Sequence, residues 1–252
     1  MQEPDPLLQP TPILNYTAPA IQALINQRGW RDLPRFERIG AAYTFVRDEI
    51  AFGYNATDDI PASQVLAEGI GQCNTKASLL MALLRGLGIA CRLHGFTIHK
   101  ALQRGVVPPL VYPITPDSIL HSWVELQHEG QWVNLEGFIL DTEFLARLQA
   151  GFEATPALCG YGAGTDCLAD PGIDWSGQST YIQREGINHD FGTFDSPDAF
   201  YADHQQAFSW WKGLLYRRLI RHWMNARVRG FRSGRRRPRP LPPHSHPRTV
   251  QE

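Results

Sequence analysis

The sequence contains no long apolar run, so nothing in it spells a membrane-spanning helix, which needs about 20 consecutive apolar residues. Cysteine is scarce: Cys73, Cys91, Cys159 and Cys167 are the only four. No two have the C-x-x-C spacing of a zinc or redox site, which argues against a metal centre. No acidic loop with calcium-ligand spacing occurs, and neither a metal nor a cofactor is expected. The start, Met1-Gln2-Glu3-Pro4-Asp5-Pro6, lacks the basic and apolar runs of a secretory leader. A cytoplasmic chain with reduced thiols is the expectation. Acidic residues are nearly missing from the C-terminal stretch. Twelve of the 24 Lys and Arg lie between Lys212 and Arg248, against the single acid Glu252, so this stretch carries +11 and the preceding body −12. The net charge of −1 therefore describes an acidic globule with a basic tail.

What is present suffices for one core: 43% of the 252 residues are hydrophobic. Helix-type and strand-type apolar spacings follow one another, which predicts an α+β domain. The spacing predicts helices over 19–27 and 34–50, a helical turn over 61–68, and a strong helix opening at Cys73 and stopped by Gly88. Strands are expected over 91–98, 119–127 and 131–135, with Glu129-Gly130 as a two-residue hairpin turn. A long connection spans 100–117, a short helix 141–149 and a further helix 197–224. Residues 1–17 read as a loose surface segment and 151–200 as irregular. One domain over 1–224 is expected, with its core at 36–140 and an elaboration at 141–224, followed by a disordered Arg- and Pro-rich tail over 225–252.

The chemistry centres on Cys73. A thiolate is the nucleophilic form, and the unpaired N–H groups of a helix start favour it. The backbone N–H of Cys73 and its neighbours can also hold a developing oxyanion. On position alone, a buried structural cysteine fits equally well. His121 lies in the strand pattern Ile119-Leu120-His121-Ser122-Trp123-Val124-Glu125-Leu126. With a turn at Glu129-Gly130, Trp123 faces Glu136 and His121 faces Phe138. His121, Trp123 and Glu136 then share a face, with His121 and Glu136 as diagonal neighbours, roughly 7–8 Å apart at Cα. Glu136 can thus orient the imidazole. Gln72 and Trp123 are expected on the substrate and oxyanion side. Trp123 and Trp132 are bulky enough to exclude water near the histidine, although core packing suits Trp132 better. Gly69 and Gly71 permit a tight approach before the nucleophile.

These residues carry a family resemblance. Gly69-Ile70-Gly71-Gln72-Cys73-Asn74-Thr75-Lys76-Ala77, with the helix that follows and the strand opening Cys91-Arg92, resembles the nucleophile segment of the transglutaminase-like superfamily. His121-Ser122-Trp123-Val124-Glu125 is similar to its histidine motif, and Trp132-Val133-Asn134-Leu135-Glu136 to its acid motif. The resemblance covers roughly residues 36 to 140. It implies a papain-like α+β fold, with the cysteine at a helix start packed on an antiparallel sheet. It also implies a thiolate–imidazolium pair and a thioester intermediate, with Cys73, His121 and Glu136 as catalytic residues. The family usually has Asp where this chain has Glu136, and Asp141 is the rival third member.

The implied function is cysteine-dependent acyl transfer or amide hydrolysis on a peptide, protein or small amide or thioester substrate. A cysteine peptidase with the same triad and a catalytically silent binding module are the alternatives. Cys91 reads as core, and Cys159 and Cys167 as free thiols rather than a disulfide. His94 receives no role, and the cluster Asn188-His189-Asp190-Phe191-Gly192 reads first as a surface loop, with shaping of substrate binding as the alternative. For the basic stretch, a terminal helix packed on the acidic body is the first reading and weak contact with an anionic membrane the second. Non-specific nucleic-acid contact is a third, and no specific nucleic-acid partner is expected.

Overall fold

In a computed structural model, which describes residues 5–153, 155–205 and 210–241, helices and strands alternate along the chain. The order is α1 (Pro19–Gln27), α2 (Arg35–Asp48), β1 (Ala51–Phe52), α3 (Ala62–Glu68), β2 (Ile70–Gly71) and α4 (Cys73–Gly86). Then come β3 (Cys91–His99), β4 (Ser118–His128), β5 (Gln131–Leu135), α5 (Thr142–Gly151), β6 (Leu158–Gly160), β7 (Ala163–Thr165) and β8 (Ile187–Phe194). The described chain closes with α6 (Pro197–Asp203), α7 (Trp210–Leu215), a π-turn (Tyr216–Ile220) and α8 (Arg221–Arg232). The main sheet has the order β5-β4-β3-β8, antiparallel throughout. β1 and β2 form a short parallel pair that leads into α4. This is the α+β architecture expected, with a helix opening at Cys73 against an antiparallel sheet.

Local chemistry accounts for the central elements. Glu129 and Gly130 both have positive φ (50° and 80°), the signature of a two-residue hairpin turn whose twist matches its strands. The register from His128↔Gln131 to Val124↔Leu135 follows from that turn. Helix α4 starts where the Thr75 hydroxyl accepts the Gln72 N–H (3.1 Å). It ends at Gly88, whose φ of 75° suits a left-handed C-terminal cap, with Ile89 N–H returning to Leu84 O (2.9 Å). All 14 of its residues are buried, so it is the pillar of the core rather than a surface helix. Each of Leu79, Leu80, Leu83 and Leu84 contributes on the order of 1.5–3 kcal/mol by burial.

One residue of that pillar is a lysine. Lys76 is fully buried, and its Nζ donates to Arg47 O (3.1 Å) and Ile139 O (3.0 Å), tying α2 and the segment after β5 to α4. Burial drives its pKa down from its ordinary 10.5 to about 7, against the opposing pull of Asp141 and Asp48. Between these two values the unfolded chain holds a proton that the folded one does not. The Lys76 contribution to stability is therefore expected to rise with pH from about 7 to 10.5 and to be absent in Lys76→Met. Urea midpoints of both proteins across that range check it.

The structure corrects several expectations. From residue 5 the N-terminal segment is anchored, not loose, while residues 1–4 lie outside the described residues: Leu14 is fully buried, Ile13 O accepts the Ala62 N–H (2.8 Å), and Arg85 Nη1 donates to Gln9 O (2.6 Å). Region 151–200 is not simply irregular, since it supplies β6, β7 and the edge strand β8. The single helix expected over 197–224 is two helical segments, α6 and the run from Trp210, and residues 206–209 between them lie outside the described residues. That second run continues to Arg232 instead of giving way to disorder after 224. Met224, Val228 and Phe231 stand at i, i+4 and i+7 and bury one stripe, a pattern obscured by the six Arg between 217 and 232. The chain is described as far as Leu241; the rest of the expected tail, 242–252, lies outside the described residues.

Candidate active site

The β1–β2 pair delivers the chain to Cys73, the first residue of α4, where it is 8% exposed. Gly71 makes the tight entry possible, because a Cβ there would lie 2.7 Å from Lys76 Cγ and 2.9 Å from Thr75 Oγ1. The Gln72 amide is committed to the loop before α3. Its Oε1 accepts the Asn55 N–H (2.8 Å) and its Nε2 donates to Asp58 Oδ1 (2.8 Å). Asn55, which sequence reasoning passed over, is fully buried and braces the same junction: its Oδ1 accepts from Thr75 Oγ1 (2.6 Å) and its Nδ2 donates to Ile70 O (3.0 Å).

His121 and Glu136 meet as the register requires. His121 Nε2 lies 2.6 Å from Glu136 Oε1, and both side chains are fully buried. The second carboxylate oxygen accepts two backbone N–H groups, from Ile182 (2.9 Å) and Gln183 (3.0 Å). Tyr43 steadies the segment that supplies them, its hydroxyl donating to Ile173 O (2.7 Å) and lying 3.1 Å from Thr180 Oγ1. A carboxylate so satisfied holds the imidazole in one orientation. Burial acts to lower the His121 pKa, but its interactions with Cys73 and with Glu136 outweigh it and push the pKa well above the ordinary value. With Nε2 taken by Glu136, Nδ1 is the nitrogen left for sulfur. It makes no well-formed hydrogen bond.

A third side chain straps the two halves together. Asn74, next to Cys73 and 1% exposed, donates from Nδ2 to Leu120 O (3.1 Å) and accepts at Oδ1 from Ser122 Oγ (2.9 Å). It therefore grips the residues on both sides of His121. Asn74→Ala is expected to lower the melting midpoint, through loss of two buried hydrogen bonds, and to slow acylation of Cys73 by about 10- to 100-fold. Stopped-flow acylation alongside thermal melting separates the two effects.

The other expected residues fall in definite places. Trp123 packs on Phe96 (ring centroids 4.0 Å apart), whose ring lies 6.3 Å from that of His121. Trp132 sits at the turn end of the hairpin, half-buried under the Arg92 guanidinium (3.7 Å to the ring centroid). Asp141 caps α5 through Phe144 N–H (2.9 Å) and pairs with Arg232 (2.5 Å), while the carboxylate on His121 is that of Glu136. Glu125 of the histidine motif serves a separate cluster, holding Arg92 (2.7 Å) and His94 Nδ1 (2.6 Å), with Asp190 at 2.8 Å from His94 Nε2. Cys91 is buried and all four cysteines are free thiols. Burial raises the Tyr54, Tyr201 and Tyr216 phenols further above their ordinary pKa, and an electrostatic interaction with Cys73 adds a smaller part to each. The Tyr201 hydroxyl is buried without a hydrogen-bond partner among the described residues. Among the described residues no group of three His, Cys, Asp or Glu is placed to hold a metal ion, and no helix is long and apolar enough to cross a membrane.

Comparison with known proteins bears on this arrangement. No curated protein matches the chain. A solved structure of a cysteine-protease candidate from Cytophaga hutchinsonii is similar over 78% of this chain and 50% of its own, with 13% identity and a TM-score of 0.43. The chain thus spans about half the length of that protein. The family model of the transglutaminase-like superfamily matches residues 24–137, a span that runs from α1 through Glu136 and includes Cys73 and His121. That match supports a cysteine-dependent enzyme in general terms. Residues 24–137 of this chain are thus similar to the transglutaminase-like superfamily.

Proposed function

We propose that this protein performs acyl transfer or amide hydrolysis through a thioester on Cys73. The reading rests on one observation above all: a buried His121–Glu136 pair whose carboxylate is held by two backbone N–H groups, beside a cysteine at a helix start. An ordinary core gains little from burying an ion pair, whereas acid–base work needs one. The Cys73 thiolate attacks the carbonyl carbon of an amide or thioester, forming the S–C bond. The first N–H groups of α4 stabilise the oxyanion. The protonated His121 gives its proton to the departing amine or thiol as the C–N or C–S bond breaks. The neutral imidazole then takes a proton from water or from an amine, which attacks the thioester, releases the product and restores the thiolate. Glu136 orients His121 throughout, and Trp123 and Phe96 keep water from the imidazole.

Hydrolysis and transfer differ only in the acceptor. A glutamine-containing peptide offered with and without a primary amine distinguishes them: ammonia release alone marks hydrolysis, and amine incorporation marks transfer. Neither product, together with no adduct on Cys73 from any amide or thioester donor, contradicts the proposal.

A further inference from the structure

The helical run from Trp210 to Arg232 turns its apolar side the wrong way for a core element. Five of the eight large apolar side chains exposed among the described residues lie on it: Trp210 (81% exposed), Trp211, Leu214, Leu219 (63%) and Trp223. The opposite side is firmly seated. Met224, Val228 and Phe231 are buried, Asn225 exchanges two hydrogen bonds with the Tyr54 backbone (2.8 and 2.9 Å), and the Tyr216 hydroxyl donates to Asn55 O (3.2 Å). The outward apolar stripe is thus a fixed feature of the surface, on an element roughly 35 Å long. Monomer surfaces rarely carry such a stripe without a use for it.

The charges around the stripe are of one sign. Between residues 210 and 241 there are eleven Lys and Arg and no Asp or Glu. Arg217 and Arg218 are exposed on the π-turn, and Arg229, Arg235 and Arg236 line a cleft of about 540 Å³ directly beside α8. Aromatic and leucine side chains flanked by arginines suit a surface that is apolar beneath and anionic on top. We infer that this face docks on an anionic lipid bilayer, with the tryptophans and leucines entering the headgroup boundary and the arginines on lipid phosphates. The acidic body, at −12, is repelled by the same surface. The protein then lies with the 210–232 face down, and the nucleophile loop, tied to the run through Tyr216 and Asn55, lies close to the bilayer. Leu214 and Leu219, exposed among the tryptophans, offer a nucleic acid no stacking face but suit an acyl boundary, which favours lipid over polynucleotide.

The test is flotation of the full chain with vesicles of phosphatidylcholine, with and without phosphatidylglycerol, followed by tryptophan fluorescence. Expected are flotation and a blue shift only with the anionic vesicles, weakening as salt is added. The double variant Leu219→Glu/Trp223→Glu is expected to lose about tenfold or more in partitioning. Arg217→Gln/Arg218→Gln is expected to lose a similar factor while its salt dependence flattens. Both changes lie on exposed positions, and unchanged circular dichroism and melting confirm folding. Equal binding to neutral vesicles, no binding at all, preference for single-stranded RNA or DNA, or a dimer that hides the tryptophans would each overturn the inference.

Discussion

Replacing Cys73 by alanine is expected to abolish turnover and any covalent adduct, while the fold survives. The side chain is small, it stands at a helix start, and it is 8% exposed, so its loss leaves little cavity. The chemistry has no substitute: Cys91 is buried in β3, with burial raising its pKa to about 11, and Cys159 and Cys167 lie on and beyond the β6–β7 hairpin. A nucleophile knockout in a triad enzyme costs about 10⁶-fold in kcat. Substrate binding, measured by calorimetry on the variant, is expected to persist. Turnover within about tenfold of the parent in Cys73→Ala would dismiss the nucleophile.

The second large effect is expected at Glu136. Glu136→Gln removes the charge but keeps the size, and the Ile182 and Gln183 N–H groups keep an acceptor. By analogy with the neutral-amide variant of serine triads, kcat should fall by about 10⁴-fold, with KM changing far less. The direction of the pH effect follows from the physical cause. Glu136 helps to hold the His121 pKa above its ordinary value, so its loss lets that pKa drop, and the alkaline limb of the rate profile moves to lower pH. Stability follows the same sign. A raised folded pKa contributes stability that is complete below 6.5 and is lost as pH rises through the folded value, so the variant loses most stability at acidic pH. Glu136→Asp, restoring the charge one methylene shorter, is expected to recover part of the activity. An unchanged pH profile in Glu136→Gln would leave the carboxylate a purely structural role.

The parts of this site that were readable beforehand are those that periodicity and turn chemistry determine. Glu129-Gly130 sets the β4–β5 register, and that register alone puts His121 and Glu136 on one face. The leucine run after Cys73 and the stop at Gly88 mark α4. What was not readable depends on contacts distant in sequence. Ile182 and Gln183 act through backbone N–H groups, which every residue but proline has, so their sequence carries no sign of the role. Asn55 and Asn74 look like loop and helix-start residues until the fold brings them against Thr75, Leu120 and Ser122. β8 has polar residues on both faces and lies at a sheet edge, so no alternation betrays it. The apolar stripe of α8 is spaced as a helix should be, but its arginine content reads as an unfolded tail.

Glu136 reaches two partners from a position just past β5. β5 ends at Leu135, so Glu136 is one step past the paired strand, and its backbone N–H goes to Thr180 O (3.0 Å). From there the longer side chain spans both to His121 Nε2 and to the 182–183 backbone. Both interactions set the demand for reach, and a shortened side chain would keep at most one of them in good geometry.

The most direct test of the central claim is mass spectrometry of the intact protein quenched during turnover with activated amide and thioester donors, followed by peptide mapping. The account predicts an acyl mass increment confined to Cys73, labile to hydroxylamine as a thioester is, and strongly reduced in His121→Ala. An increment on another residue, or equal labelling of Cys73 with and without His121, would contradict it.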